Sequence, residues 1–449
     1  MASTSISKTF SNAGNRQKWT WSAWIKRSAT SNSSAANGYT LWNCEGSSTS
    51  DNFIFQITVN GGGSGGATDS IALHTYGSDV FRTTPLLRDV SAWYHIVLAL
   101  DTTQATATNR IKLYVNGELQ SYSQESNFPA QNFSMGINRA AKHCIGSHGT
   151  NANYYFDGLM SHVHFCDGYQ YAASDFGETD STTGEWKIKT SPSVSYGTNG
   201  FWILKDGNSL TDQSPNSNNF SSNGGTLTKT EDCPSNVFAT LNPLVKDAGS
   251  TSYHHGNTQH NVDTANWRSA YSTLGMTTGK YYFEALKSNG SHGMIGVRGV
   301  EQCDGSLAGN NDFIGVVTQG WSLYNADGVV KNNNSDVGSS IGTYANGDYI
   351  GCFLDCDNSK LYFSKNGTMM NTTGYSITAG LTYMFGVSGH STYRWVCNFG
   401  NGAFGSTQLT GTTYNGSDGN GIFKYNPNSI TLDGSSKSFK SLSTKGLNL

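Results

Sequence analysis

The side chains able to do chemistry in this chain are acids, histidines and thiols, and their spacing can be held against known reactions. Glycoside hydrolysis needs two carboxylates about 5–9 Å apart. Glu178 and Asp180 come nearest to such a pair on one strand, but the next acid, Glu185, lies beyond an E-x-D-x-x-E spacing. The surrounding DFGETDSTTGEW is polar and Gly-containing and reads as a loop of solvated acids. His162 and His164 are two apart, hence on one face of a strand, and two such histidines could hold a metal with a third ligand from elsewhere. We read SHVHFCDG instead as a strand whose histidines are structural. His254, His255 and His260 stand in a polar stretch. Cys352 and Cys356, if on one strand, are about 13 Å apart, beyond the reach of a disulfide. With eight cysteines and no C-x-x-C pair, free and buried thiols are expected. No G-x-S-x-G elbow, HExxH or P-loop is present, and a Ser-His-Asp triad is a matter of geometry that sequence does not reveal.

What must position these groups follows from composition. A length of 449 residues predicts two or three folding units. Lys+Arg of 28 against Asp+Glu of 31 gives a net charge of -3, which disfavours nucleic acid as a partner because phosphates need basic residues to neutralise them. The longest apolar run, 93–100, is far short of the roughly 20 residues of a membrane span. MASTSISKTF lacks the basic and apolar regions of an export signal, so neither membrane insertion nor secretion is expected. With 53 glycines, only 7 prolines and 12% aromatic residues, the chain suits short strands joined by tight turns, an all-β protein.

Eleven Asn-Gly dipeptides punctuate the sequence, among them Asn60-Gly61, Asn116-Gly117, Asn346-Gly347 and Asn366-Gly367, and Asn-Gly favours two-residue hairpin turns. Phe53, Phe55, Ile57 and Val59 share one strand face, as do Ile111, Leu113 and Val115, and again Leu361 and Phe363. No sustained 3.6-residue period, heptad or short repeat occurs, which excludes coiled-coil or β-helical shafts. Asn, Ser, Thr and Gly dominate residues 205–260, and a domain boundary is expected near residue 235. After about residue 403 the apolar pattern thins into a polar segment, 406–449, expected to lie as a tail against a domain or a neighbouring subunit.

WTWSAWIKRS (19–28), WYHIVLALD (93–101), KLYVNGEL (112–119) and IGSHGTNANYYFDGLMSHVHFCDG (145–168) resemble, in that order, the strands of a laminin-G-like, concanavalin-A-type jelly roll over residues 1–235. The resemblance implies two sheets packed face to face, with Trp93, Val97, Leu113 and Val115 filling the layer between. It also implies that rim acids such as Asp157 or Asp167 could bind calcium, as in some laminin-G-like domains; no other cofactor is expected. YGTNGFWILKD (196–206) and DCPSNVFATLNP (232–243) resemble the continuation of this domain in virion proteins of tailed phages.

GKYYFEA (279–285), MIGVRG (294–299), GWSLYNADGVVKNNN (320–334), NGDYIGCFLDCDNSKLYFSKNGT (346–368), MFGVSG (384–389) and VCNFG (396–400) resemble a SPRY domain over residues 236–405. The expected fold is therefore all-β, two antiparallel β-sandwiches in tandem. FKSLSTKGLNL (439–449) resembles the closing segment of such phage proteins.

Recognition is expected on loops, where aromatic faces and Asn or Asp side chains meet a ligand. In the first sandwich the candidates are Tyr76, His148, Asn151, Tyr154 and Tyr155; in the second, Trp321, Tyr324, Asn325, Asp327 and Tyr393. These resemblances imply a non-enzymatic phage virion protein, made in the host cytoplasm, that works as a tail fibre or receptor-binding component for a host-surface glycan or protein. The alternative is a capsid decoration or head-fibre protein partnered with other virion proteins. A polysaccharide depolymerase ranks below both for want of an acid pair. The first domain is expected to begin within the first ten residues, leaving no room for a separate anchor. A homotrimer is expected, built from sandwich faces, from the polar linker or from the C-terminal segment around Phe423, Tyr425, Phe439 and Leu442, and deleting residues 430–449 is expected to weaken assembly more than folding.

Overall fold

The computed structural model describes residues 4–28, 38–46, 52–59, 68–124, 127–149, 154–205, 207–245, 251–303 and 312–448. The chain divides into two units, Met1–Leu227 and Thr228–Leu449. Each is a pair of antiparallel sheets, as period-two alternation requires. Among the described residues no helix is long and apolar enough to cross a membrane.

In the first unit an eight-stranded sheet runs Tyr122–Gln124, Ser78–Leu86, Ser70–Thr75, Phe53–Thr58, Gly38–Cys44, Lys142–Ile145, Ser5–Thr9, Ser221–Gly224. It faces a six-stranded sheet in the order Phe201–Ile203, Gly158–Asp167, Lys18–Arg27, Trp93–Asp101, Ile111–Val115, Glu118–Leu119. Trp19, Trp21, Trp42, Phe53, Phe55 and Phe165 fill the layer between, with Trp42 edge-on to Trp19 and stacked on Trp21. Ile96, Leu98, Leu100 and Leu113 point into the same layer. Asn116 and Gly117, at φ of 49° and 84°, make the left-handed turn that joins two of these strands.

Trp93 and Val97 do not fill that layer, contrary to the expectation. Alternation along Trp93–Asp101 turns them to the opposite face, where Val97 packs with Cys166, Ala173, Phe176, Tyr196 and Trp202. The strand is buried on both faces because residues 171–196 fold back over it. The Asn- and Ser-rich stretch that follows is built into the same unit. Asp212 accepts backbone N–H groups from Trp202, Ser214 and Asn218, closing a compact loop. The unit boundary falls after Leu227, ahead of the expected position near 235.

The second unit repeats the arrangement. Thr251–His254, Gln259–Val262, Tyr393–Asn398, Lys280–Asn289, Tyr349–Asp355, Lys360–Lys365 and Thr368–Met369 form one sheet, which Tyr375–Ser376 joins at Lys360–Lys365. Arg268–Tyr271, Tyr383–His390, His292–Gly299, Gly320–Tyr324, Val330–Asn332 and Ser335–Val337 form the other. Tyr281, Phe283 and Ala285 point between the sheets, and Tyr282 and Glu284 point outward.

That outer face is covered by the segment expected to be a polar tail. Phe423, Leu432 and Phe439 are fully buried against Tyr282, Phe353 and Tyr362. Polar anchors accompany them: Lys437 meets the buried Asp355 at 2.7 Å, and Tyr362 donates to Asp433 at 2.6 Å. Glu284 accepts from Asn398, Tyr282 and the backbone N–H groups of Lys424 and Tyr425. Phe423, Phe439 and Leu442, named among the expected trimer contacts, are thus core residues of their own chain. Their few apolar side chains suffice because the sheet supplies the other half of the cluster.

Two outcomes follow from this cover. Phe439→Ala leaves a cavity in a dry cluster and lowers the stability of the second unit by about 3–5 kcal/mol in urea unfolding. Deletion of residues 430–449 abolishes cooperative folding of that unit; a truncated chain that unfolds at the parent's urea midpoint contradicts this. Burial pushes the Glu284 carboxyl up to about 7 against the pull of its four donors. The folded state then holds a proton that the unfolded chain releases above about pH 4.5. Glu284 therefore contributes stability that is full below that pH and is lost as pH rises to about 7, by up to about 3 kcal/mol. Urea midpoints of the parent and of Glu284→Gln, compared from pH 4.5 to 7.5, read this as a loss of parent stability relative to the variant that grows with pH, since the buried histidines give both proteins the same background slope.

Candidate functional site

The outer face of the second unit's six-stranded sheet is treated differently at its two ends. Part of it carries small outward side chains among the larger Tyr271, Met294 and Met384. Gly296, Gly320, Gly386, Ser269, Ser322 and Ser388 form a trough in which residues 312–316 lie as a strap. Ile314 is fully buried there, its N–H bonded to Ser388 Oγ at 3.0 Å, and Gly315 N–H bonds Ser322 Oγ at 3.1 Å. A Cβ on Gly386 would come within 3.1 Å of the Ile314 side chain. Arg298 and Asp312, a buried ion pair at 2.6 Å, pin the strap's start.

At the other end of the same face four rings from adjacent strands gather into one compact cluster around Trp267. His292 and His390 are cross-strand partners, Arg268 pairs with Gly389 and so brings Trp267 beside His390, and Met294 pairs with Tyr324. Trp267 lies 5.6 Å from His390, 5.8 Å from Tyr324 and 6.3 Å from His292 between ring centres, and its remaining side rests on Phe313 of the strap. His292 Nδ1 and Tyr324 Oη are 2.5 Å apart. Lys331 stands over the Tyr324 ring at 5.6 Å and is held by Asp327 at 2.6 Å. All four rings are partly buried. Burial, and then the neighbouring His390, hold His292 below its ordinary range, so it is neutral at pH 7. Such a cluster can offer its exposed part to a sugar ring or an aromatic side chain, beside hydroxyl and imidazole groups that orient it.

Of the residues expected here from sequence, Tyr324 is in the cluster and Asp327 at its margin. Trp321 and Tyr393 are not available to a ligand. Both are buried in the intersheet core, because each sits at a strand position of inward parity. Asn325 is structural: its side chain accepts from Gly293 N at 2.7 Å and donates to Ser291 O at 2.9 Å. Trp267, His292 and His390 were missed. They come from strand ends far apart in sequence, and only the pairing register brings them together.

In the first unit Tyr76 and His148 flank Asn52. Tyr76 N–H donates to Asn52 O at 3.0 Å, and the Asn52 side chain bonds His148 Nε2 at 3.2 Å. His148 is buried against Tyr154 at 5.5 Å, whereas Tyr154 and Tyr155 are half-buried. The Tyr76 hydroxyl is bonded by Arg16. Asn151 lies outside the described residues. Three N–H donors converge on Asp167, from Asn15, Asn138 and Asn199, which is the setting of a structural carboxylate. Burial pushes the Asp157 carboxyl above its usual range, which disfavours the anion a calcium ion needs.

Catalytic arrangements can now be judged by geometry. Ser22 Oγ lies 2.9 Å from His95 Nε2, but Trp186 donates its indole N–H to His95 Nδ1 at 3.1 Å. The ring proton is therefore on Nε2, facing the serine, and His95 has no lone pair with which to take the serine proton. Burial, with Trp24 stacked on the ring face at 4.8 Å, pushes its pKa down to about 3. Glu178 lies within the first strand of a short hairpin, Gly177–Thr179 with Trp186–Ile188, and Asp180 at the start of its turn, where a loop was expected. Asp180 caps its turn through Thr182 and Thr183 N–H groups, and both acids face Lys187. A bulge between Ser161 and His164 sets His162 at φ 49° and breaks the expected alternation. His164 turns to Tyr196 Oη at 2.9 Å. Among the described residues no three His, Cys, Asp or Glu side chains cluster as a metal site, and all eight cysteines are free thiols.

Comparison with known proteins agrees with this architecture. Residues 3–174 match the family model of the concanavalin A-like lectin/glucanases superfamily, and residues 280–402 match that of the SPRY domain. A search among curated proteins returns no match. Similar solved structures include the SPRY domain of human HERC1, at 14% identity over 38% of this chain and 99% of that one, with a TM-score of 0.30. The PSpry domain of TRIM65 is 13% identical over 36% of this chain and 88% of its own, with a TM-score of 0.29. A human SPRY domain is 16% identical over 31% and 90%, with a TM-score of 0.24. The chain thus carries a concanavalin A-like domain of the laminin G type followed by a SPRY domain.

Proposed function

We propose that this protein is a recognition component of a tailed-phage virion, a tail fibre or receptor-binding part that engages a glycan or protein of the host surface. The observation that carries the reading is the partly buried cluster of Trp267, His292, Tyr324 and His390 at the end of the SPRY sheet that the strap leaves open. Aromatic faces held rigid on strands bind with little loss of side-chain entropy, and each contributes about 0.5–1.5 kcal/mol on contact. The affinity of one such cluster is modest. Presentation in several copies on a particle raises it by avidity, without any new contact. The phage assignment itself rests on the resemblance of residues 196–206, 232–243 and 439–449 to virion proteins. The Ser22–His95 pair, locked in the unproductive tautomer, favours binding over hydrolysis.

The test is competition for adsorption. Purified protein added to host cells slows phage attachment, and the double variant Trp267→Ala/Tyr324→Ala blocks at least tenfold less well, since about 1.4 kcal/mol is tenfold. Both rings are partly exposed, so the melting temperature serves as a control for folding. Equal blocking by parent and double variant overturns the site. Immunogold label spread over the phage head instead of the tail replaces this reading with capsid decoration, and absence of label from particles removes the virion assignment altogether.

A further inference from the structure

The cluster contains two histidines whose arrangement goes beyond flat recognition. His292 and His390 are directly opposed on adjacent antiparallel strands, with ring centres 5.6 Å apart. We propose that these two imidazoles bind a divalent transition-metal ion of the zinc class, through Nε2 of each ring, with the remaining coordination positions open to solvent.

Three features support the assignment. Each Nδ1 is already engaged by a hydroxyl, His292 by Tyr324 Oη at 2.5 Å and His390 by Ser391 Oγ at 2.8 Å. When Nδ1–H donates to that oxygen, the lone pair is on Nε2, the outer-shell arrangement that orients metal-ligating histidines. The separation also fits. With an ion about 2.1 Å from each nitrogen, two imidazoles sharing it at a near-tetrahedral angle have centres roughly 5 Å apart. The two strands hold the rings at this distance in advance, so little ordering is needed on binding. Trp267 packs against both rings and limits their movement.

Two protein ligands make a weaker site than the three or four of structural and catalytic zinc, so micromolar affinity is expected, in the order copper above nickel and zinc. Lys287 and Lys331 near the cluster oppose a cation, and Asp327 offsets Lys331. An ion held this way would offer its open positions to hydroxyl or carboxylate oxygens of a ligand lying on the aromatic cluster.

The measurement is isothermal titration of the full, tag-free chain with zinc chloride, and separately with copper(II). The parent binds one zinc ion per chain with a micromolar Kd. His292→Ala and His390→Ala each weaken binding at least tenfold, whereas His254→Ala/His255→Ala, a change to the other adjacent histidine pair of this unit, leaves it unaltered. His390→Gln keeps the packing volume and serves where the alanine variant melts early. Copper(II) also quenches part of the tryptophan fluorescence, a part that disappears in Trp267→Phe. No binding below millimolar zinc, or parent-like affinity in the His292 and His390 variants, overturns the site. Because the probe is the metal alone, this result is independent of whether the cluster binds a host ligand.

Discussion

Each unit depends on one physical constraint: a sheet whose strands are apolar on both faces cannot leave either face in water. Trp93–Asp101 buries Ile96, Leu98 and Leu100 inward and His95 and Val97 outward; Lys280–Asn289 buries Phe283 inward and Tyr282 and Glu284 outward. Burying each outward face is favourable by about 25 cal/mol per Å² of apolar surface, and a later segment of the same chain supplies the cover. In the first unit it is residues 171–196, pinned by Phe176, Trp186 and Tyr196; in the second it is the C-terminal segment, pinned by Phe423, Leu432 and Phe439. A third cover, the strap at residues 312–316, lies over the sheet that carries the aromatic cluster.

The same constraint explains the placing of polar groups. A covering segment brings backbone N–H groups into a dry layer, and each needs an acceptor. Glu284 meets Lys424 and Tyr425, Asp212 meets Trp202 and Ser214, and Asp167 meets Asn15 and Asn199. Carboxylates and histidines that look reactive in a sequence are thereby used as fasteners. His95 is the clearest instance, since Trp186 both covers it and fixes its tautomer.

Much of this was legible in the sequence, for identifiable reasons. Asn116-Gly117 and Asn366-Gly367 marked left-handed turns because few other residues adopt those φ values, and the alternation of Phe53, Phe55 and Ile57 marked a buried strand face. What alternation does not reveal is which face is inward when both are apolar, and so Val97, Trp321 and Tyr393 were assigned the wrong surroundings. The polar composition of residues 406–449 concealed a covering role that needs only a few large side chains placed over a ready-made apolar face. The aromatic cluster was legible only at Tyr324. Its other members belong to strand ends separated by more than a hundred residues at the extremes, Trp267 and His390, and only register joins them.

The central claim is that the open end of the SPRY sheet, and not the rim of the first sandwich, is where a ligand lies. Hydrogen–deuterium exchange of the full chain, with and without isolated host envelope, addresses it most directly. The account predicts new protection in the backbone around Trp267, His292, Tyr324 and His390, with the first unit unchanged. Protection confined to the segments around His148 and Tyr154–Tyr155, with none at the cluster, would contradict it.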